Sequence, residues 1–200
     1  MSIISRRDIV IGSAVTAASL SMASSPAEAV ILSATDFIDV AKAWMKAKTK
    51  SFNDCWATKG GWEGWAQCDL TMAMLAKNHG YEIEREMLNV YNSRDRPDFV
   101  VNKNQSGAAR IVVEIKCESF ENGIDNFIKG VLIDEGKLAS NSMTSGYQTA
   151  TRLVIGFFTN PAPDLKRAGY DIFPEGAVTR NDTKNGGFPD FYMCWKSVKN

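Results

Sequence analysis

Two short segments, Arg96-Pro97-Asp98-Phe99-Val100-Val101 and Ile111-Val112-Val113-Glu114-Ile115-Lys116, constrain this chain more than any other feature. Their β-branched and aromatic content reads as two neighbouring strands. Between them, Asn104-Gln105-Ser106-Gly107-Ala108 has the composition of a turn, so the pair folds as a hairpin. A turn centred on Ser106 sets Asp98 opposite Glu114 and Val100 opposite Val112. Strand alternation sends Glu114 and Lys116 to one face and Ile115 to the other. Two carboxylates then stand about 5 Å apart at Cβ, with an ammonium two residues along. Such a cluster suits a divalent metal bound by hard oxygen ligands, with a lysine beside the water it activates. Asp98 and Glu114 are the expected metal ligands, and Mg²⁺ or Mn²⁺ the expected cation. The competing reading is an ordinary edge hairpin whose charges are simply solvated.

The segments around the hairpin read as helices and further strands. Ser33 with Asp36 fits a helix start, followed by the stripe Phe37, Val40, Ala41, Trp44 and Met45. Residues 49–61 are polar and read as a connection. A second helix is expected from about Gly61 to Asn78, stopped by Gly80, with Trp62 and Trp65 packed in the core. Tyr81 to Tyr91 reads as a strand. After the hairpin strands, Pro97–Lys103 and Arg110–Glu118, Ile124, Phe127, Ile128, Val131 and Leu132 mark a helix over 121–139. Thr151 to Phe158 is a buried-looking strand. A short helix near Leu165 and the segments 170–173 and 191–198 are harder to place. The expected class is α/β, a mixed central sheet of about four or five strands flanked by helices.

Pro97-Asp98, fifteen intervening residues and Glu114-Ile115-Lys116 resemble the motif of the PD-(D/E)xK nuclease superfamily. The resemblance covers roughly residues 59–160, and the order helix, three strands, helix, strand matches that superfamily's restriction-endonuclease-like core. It implies a metal-dependent phosphodiesterase in which Lys116 orients the attacking water or stabilises charge on the phosphate. It also implies an acidic residue on the preceding helix, for which Glu63 is the candidate. Lys129 and Lys137, on the helix after Glu114-Ile115-Lys116, become candidate phosphate contacts. The implied substrate is nucleic acid, DNA before RNA.

Near the N-terminus, Arg6-Arg7 precedes a dilute apolar stretch, and Ala27-Glu28-Ala29 supplies small residues suited to a signal peptidase. Residues 1–29 look like a twin-arginine export signal, which leaves 30–200 as a single domain and a periplasmic or secreted destination. Net charge is zero, with 23 basic and 23 acidic residues. That weighs against an indiscriminate polyanion binder, so cations must gather locally if phosphate is bound. Cys55, Cys68, Cys117 and Cys194 permit two disulfides after export, Cys55–Cys68 being the local candidate, while Cys117 reads as core. The single histidine, His79, leaves little for a zinc or Cys–His site. The reading that emerges is an exported nuclease: either a periplasmic or secreted nuclease, or a toxin or effector for which an immunity or inhibitor protein would be the partner. The alternative is a non-enzymatic secreted binding protein that keeps the architecture without the chemistry.

Overall fold

Ser33 starts the first helix as its sequence suggests. Its hydroxyl accepts the Asp36 backbone N–H at 3.1 Å and donates to the Asp36 carboxylate at 2.6 Å. The structure, a computed structural model, describes residues 30–56, 61–159, 162–174 and 191–199. Residues 1–29, with the expected export segment, lie outside these. Helix α1 spans Ala34–Trp56 and α2 spans Glu63–Lys77, followed by β1 (Ile83–Arg85), β2 (Phe99–Val101) and β3 (Ile111–Cys117). Then come α3 (Gly123–Lys137), β4 (Thr151–Phe158), α4 (Pro163–Arg167), β5 (Asp171–Phe173) and β6 (Tyr192–Ser197). Among the described residues no helix is long and apolar enough to cross a membrane.

The strands form one six-stranded sheet in the order β1-β2-β3-β4-β6-β5. Only β3 and β4 run parallel, joined by the α3 crossover, and the other neighbours are antiparallel. The sheet is thus α/β and mixed, as expected, with six strands where four or five were anticipated. The extra strands are β6, which pairs with β4, and β5, which pairs with β6; both are short segments placed by these partners rather than by any local pattern. The hairpin register agrees with the sequence: Phe99 faces Val113, Val100 faces Val112 and Val101 faces Ile111.

Alternation along β3 divides the interior. Ile111, Val113, Ile115 and Cys117 join the core under α1 and α2, while Val112 joins the core under α3. Gly156 of β4 permits the close approach on the α3 side: a Cβ there would lie 2.7 Å from both the Phe127 ring and the Cys194 sulfur.

Several expectations are corrected. Residues 49–56 continue α1 instead of forming a connection. Phe52, fully buried, extends the apolar stripe and packs on Trp44, Trp62, Trp65 and Phe191. The strand expected over 81–91 shortens to Ile83–Arg85, because Glu86 and Asn89 turn the backbone into the left-handed region at φ 51° and 63°. All four cysteines are free thiols, so the expected Cys55–Cys68 bridge is not formed. Cys68 is exposed on α2 and its sulfur accepts a hydrogen bond from Arg85, whereas Cys55 packs partly buried against the α1 side of the core. Cys117 is core, as expected.

Candidate active site

At the end of β3, side chains from α2 on one side and α3 on the other reach the same strand residues. Trp62, just before α2, donates its indole N–H to the Glu118 carbonyl at 2.6 Å. This ties the start of α2 to the end of β3 and brings Glu63 beside Lys116. The Lys116 Nζ lies 3.1 Å from Glu63 Oε2, which also accepts the Cys117 backbone N–H at 3.2 Å. From the other side, Asp134 of α3 places Oδ2 3.6 Å from the same Nζ, and Lys137 lies 2.6 Å from Asp134 Oδ1. The Lys116 stem crosses α3 at Gly130, where a Cβ would sit 3.1 Å from Lys116 Cδ.

Asp98 stands immediately before β2, and the observed register carries it opposite Glu114. Its carboxylate is fixed by protein donors: the Ile115 N–H to Oδ2 and the Gln67 amide to Oδ1, both at 2.5 Å. Gln67 is in turn held by Arg85 at 2.7 Å. Glu114 is 3 % exposed and accepts the Tyr91 hydroxyl at 2.6 Å. The four sequence candidates, Glu63, Asp98, Glu114 and Lys116, therefore meet in one cluster, joined by Lys137. Lys129 stands exposed on α3, while Trp62 and Trp65 belong to the core. Glu82, Glu84 and Glu86 engage Asn104, Lys103 and Arg96 elsewhere.

Two members were not foreseen from the sequence. Asp134 looks like any acid on an amphipathic helix, yet it is 2 % exposed and its Oδ2 has no hydrogen-bond partner. Tyr91 lies in an irregular segment with no periodicity to announce it. The usable signal was Gly130, since a glycine mid-helix marks a close approach, here by Lys116.

Electrostatically the cluster is short of positive charge: four carboxyls (Glu63, Asp98, Glu114, Asp134) meet two ammonium groups (Lys116, Lys137). Burial, with the neighbouring charge of Asp98, pushes Glu114 up to about 8. Burial likewise raises Asp98 to about 6, against the pull of the Ile115 N–H and with the repulsion of Glu63 and Asp134. Burial alone would lower Lys116, but the charges of Glu63 and Asp134 outweigh it and hold the ammonium above its ordinary range. Burial and Glu114 push the Tyr91 phenol far up, so it remains a donor.

No group of three or more histidine, cysteine or carboxylate side chains arranged to hold a metal occurs among the described residues. A magnesium-like ion, however, is commonly held by one or two protein carboxylates, with water and substrate completing its shell. The hard oxygens of Asp98 and Glu114, their mutual repulsion and the local deficit of positive charge fit such an ion. The chain matches no family model and none of the curated proteins. The functional reading therefore rests on the chemistry of this cluster.

Proposed function

We propose that this chain is an exported, metal-dependent nuclease of the PD-(D/E)xK kind, hydrolysing phosphodiester bonds with DNA as the favoured substrate. One observation carries the reading: the hairpin register sets Asp98 against Glu114, while Lys116 is held beside them between Glu63 and Asp134. A bound Mg²⁺ or Mn²⁺ would supply Lewis acidity toward the phosphate and a more acidic water. Asp98 and Glu114 would hold that ion. Lys116, kept protonated by its two carboxylate neighbours, supplies a fixed positive charge and N–H donors where charge develops on the phosphoryl oxygens. Glu63 and Asp134 orient that lysine, and Tyr91 fixes the rotamer of Glu114.

A second reading, a binding protein without chemistry, draws on a different observation. Both Asp98 oxygens already accept hydrogen bonds from the protein. Incubating the whole chain with plasmid, linear duplex, single-stranded DNA and RNA decides between the two, with Mg²⁺, Mn²⁺ or EDTA. Cleavage that needs the metal and disappears in Asp98→Ala and Lys116→Met supports the nuclease. Folded protein that cleaves nothing and binds neither cation leaves the binding-protein reading. The export proposal draws on Arg6-Arg7 and the apolar stretch behind it. Cell fractionation checks it: periplasmic or extracellular protein that becomes cytoplasmic in an Arg6→Lys/Arg7→Lys variant is the expected result.

A further inference from the structure

Beside the carboxylate–lysine cluster the surface is hollowed into a cavity of about 420 Å³, within the roughly 300–1,000 Å³ of ordinary small-ligand sites. One wall is the segment before β2, with Tyr91, Asn92, Ser93 and Asp95; the other is the end of α3 and the turn beyond, with Lys137 and Ser142. Two of these residues belong to the cluster as well, Tyr91 through Glu114 and Lys137 through Asp134. The cavity and the cluster therefore share a wall.

That wall is built independently of any ligand. The Asn92 backbone N–H donates to the Ser142 carbonyl at 2.8 Å, and the Thr144 N–H donates to the Val90 carbonyl at 2.9 Å. The Asn92 side-chain amide donates to the carbonyls of Asn141 and Met143, each at 3.1 Å. Tyr91 and Met143 add an isolated antiparallel bridge. Two segments some fifty residues apart are thus cross-stitched, and the shape of the hollow does not depend on what fills it.

The lining presents more apolar than polar surface, and its polar groups are distributed in a particular way. The Ser93 and Ser142 hydroxyls, the Asn92 amide oxygen and the Asp95 carboxylate are its hydrogen-bonding groups, and Lys137 supplies a cation on the side nearest Asp134. A planar heterocycle with an attached phosphate matches that pattern. We propose that the cavity receives one unpaired nucleotide adjoining the scissile phosphate, so that single-stranded or frayed nucleic acid is the substrate class. The inference rests on the nuclease reading above and narrows it. Bases in a duplex are stacked and offer the protein only their groove edges; to enter a hollow walled by two segments, a base must first leave the stack. An unpaired strand presents the base without that cost.

The test uses the whole chain with Mn²⁺ and four substrates of increasing demand. These are methyl p-nitrophenyl phosphate, a 12-nucleotide single strand, the same strand as a blunt duplex, and that duplex with a five-nucleotide overhang. The expected result is cleavage of the single strand and the overhang at least about tenfold faster than the blunt duplex. Ser93→Trp, which fills the hollow from its rim, should lower the ratio of single-strand to small-diester rate by a similar factor. It should also weaken equilibrium binding of a labelled single strand in EDTA. Should Ser93→Trp fail to fold, Ser93→Leu takes its place. Blunt duplex cleaved as fast as single strand, or an unchanged rate ratio in the variant, overturns the inference and leaves the nuclease standing. If neither the diester nor any nucleic acid is cleaved, the nuclease reading falls and the inference with it.

Discussion

Lys116 is held at two points by opposite charge, Glu63 at 3.1 Å and Asp134 at 3.6 Å, and its stem passes close over Gly130. Lys116→Met keeps most of that stem and removes the ammonium. The proposed nuclease activity should then fall by about 10²-fold or more in a plasmid-nicking assay, while far-UV circular dichroism stays at the wild-type level. The two raised carboxyls make a separate prediction for the metal-free protein. Glu114 at about 8 and Asp98 at about 6 bind their protons more tightly when folded than when unfolded. Between about pH 4 and pH 8 the folded state thus holds more protons, and stability must fall as pH rises through that window. Urea melts in EDTA should show their midpoint declining from pH 5 to pH 8, and Glu114→Gln should flatten the decline. At this scale the sequence was informative where a period of two could be applied. Asp98, Glu114 and Lys116 follow from alternation about one turn. Asp134 and Tyr91 do not, because an acid on a helix or a tyrosine in a loop has no local mark of burial. Their places are set by what α3 and the 138–144 segment pack against.

The elements owe their positions to a few tight contacts. Gly156 is the sharpest: a methyl there would approach the Phe127 ring and the Cys194 sulfur at 2.7 Å, forcing α3 away from β4. Gly156→Ala should cost roughly 1–3 kcal/mol in urea denaturation through overpacking. Because α3 also carries Asp134 and Lys137, it should reduce the proposed cleavage beyond what the loss of folded protein explains. Element boundaries were legible where apolar spacing was strong, and β4 was foreseen to the residue. The end of α1 was not, since a polar run with one buried residue, Phe52, has too little periodicity to extend a helix on paper. The strands β5 and β6 were obscure for another reason. β5 spans only Asp171–Phe173, and it finds its place through β6, which in turn pairs with β4.

The molecule as a whole carries no net charge, so attraction to a polyanion must come from a small region. Lys116 and Lys137 are the cations of the cluster. If they make the two phosphate contacts of the proposed nuclease, log K against log[salt] should fall at a shallow slope of roughly −1 to −2. Fluorescence anisotropy of a labelled strand between low and physiological salt measures it, and a much steeper slope would place a broader basic surface elsewhere on the chain. Lys116 also has a place in the larger architecture. Glu63 belongs to the helical layer on one side of the sheet and Asp134 to the layer on the other, and both grip a single ammonium at the strand end between them. The lysine is in effect a gauge of how the two layers sit against each other. A small slip of either helix, well short of unfolding, displaces the charge that the proposed chemistry needs. Heat, urea or a protein pressing on the outer face of α3 should therefore silence the proposed activity while the secondary structure is still intact.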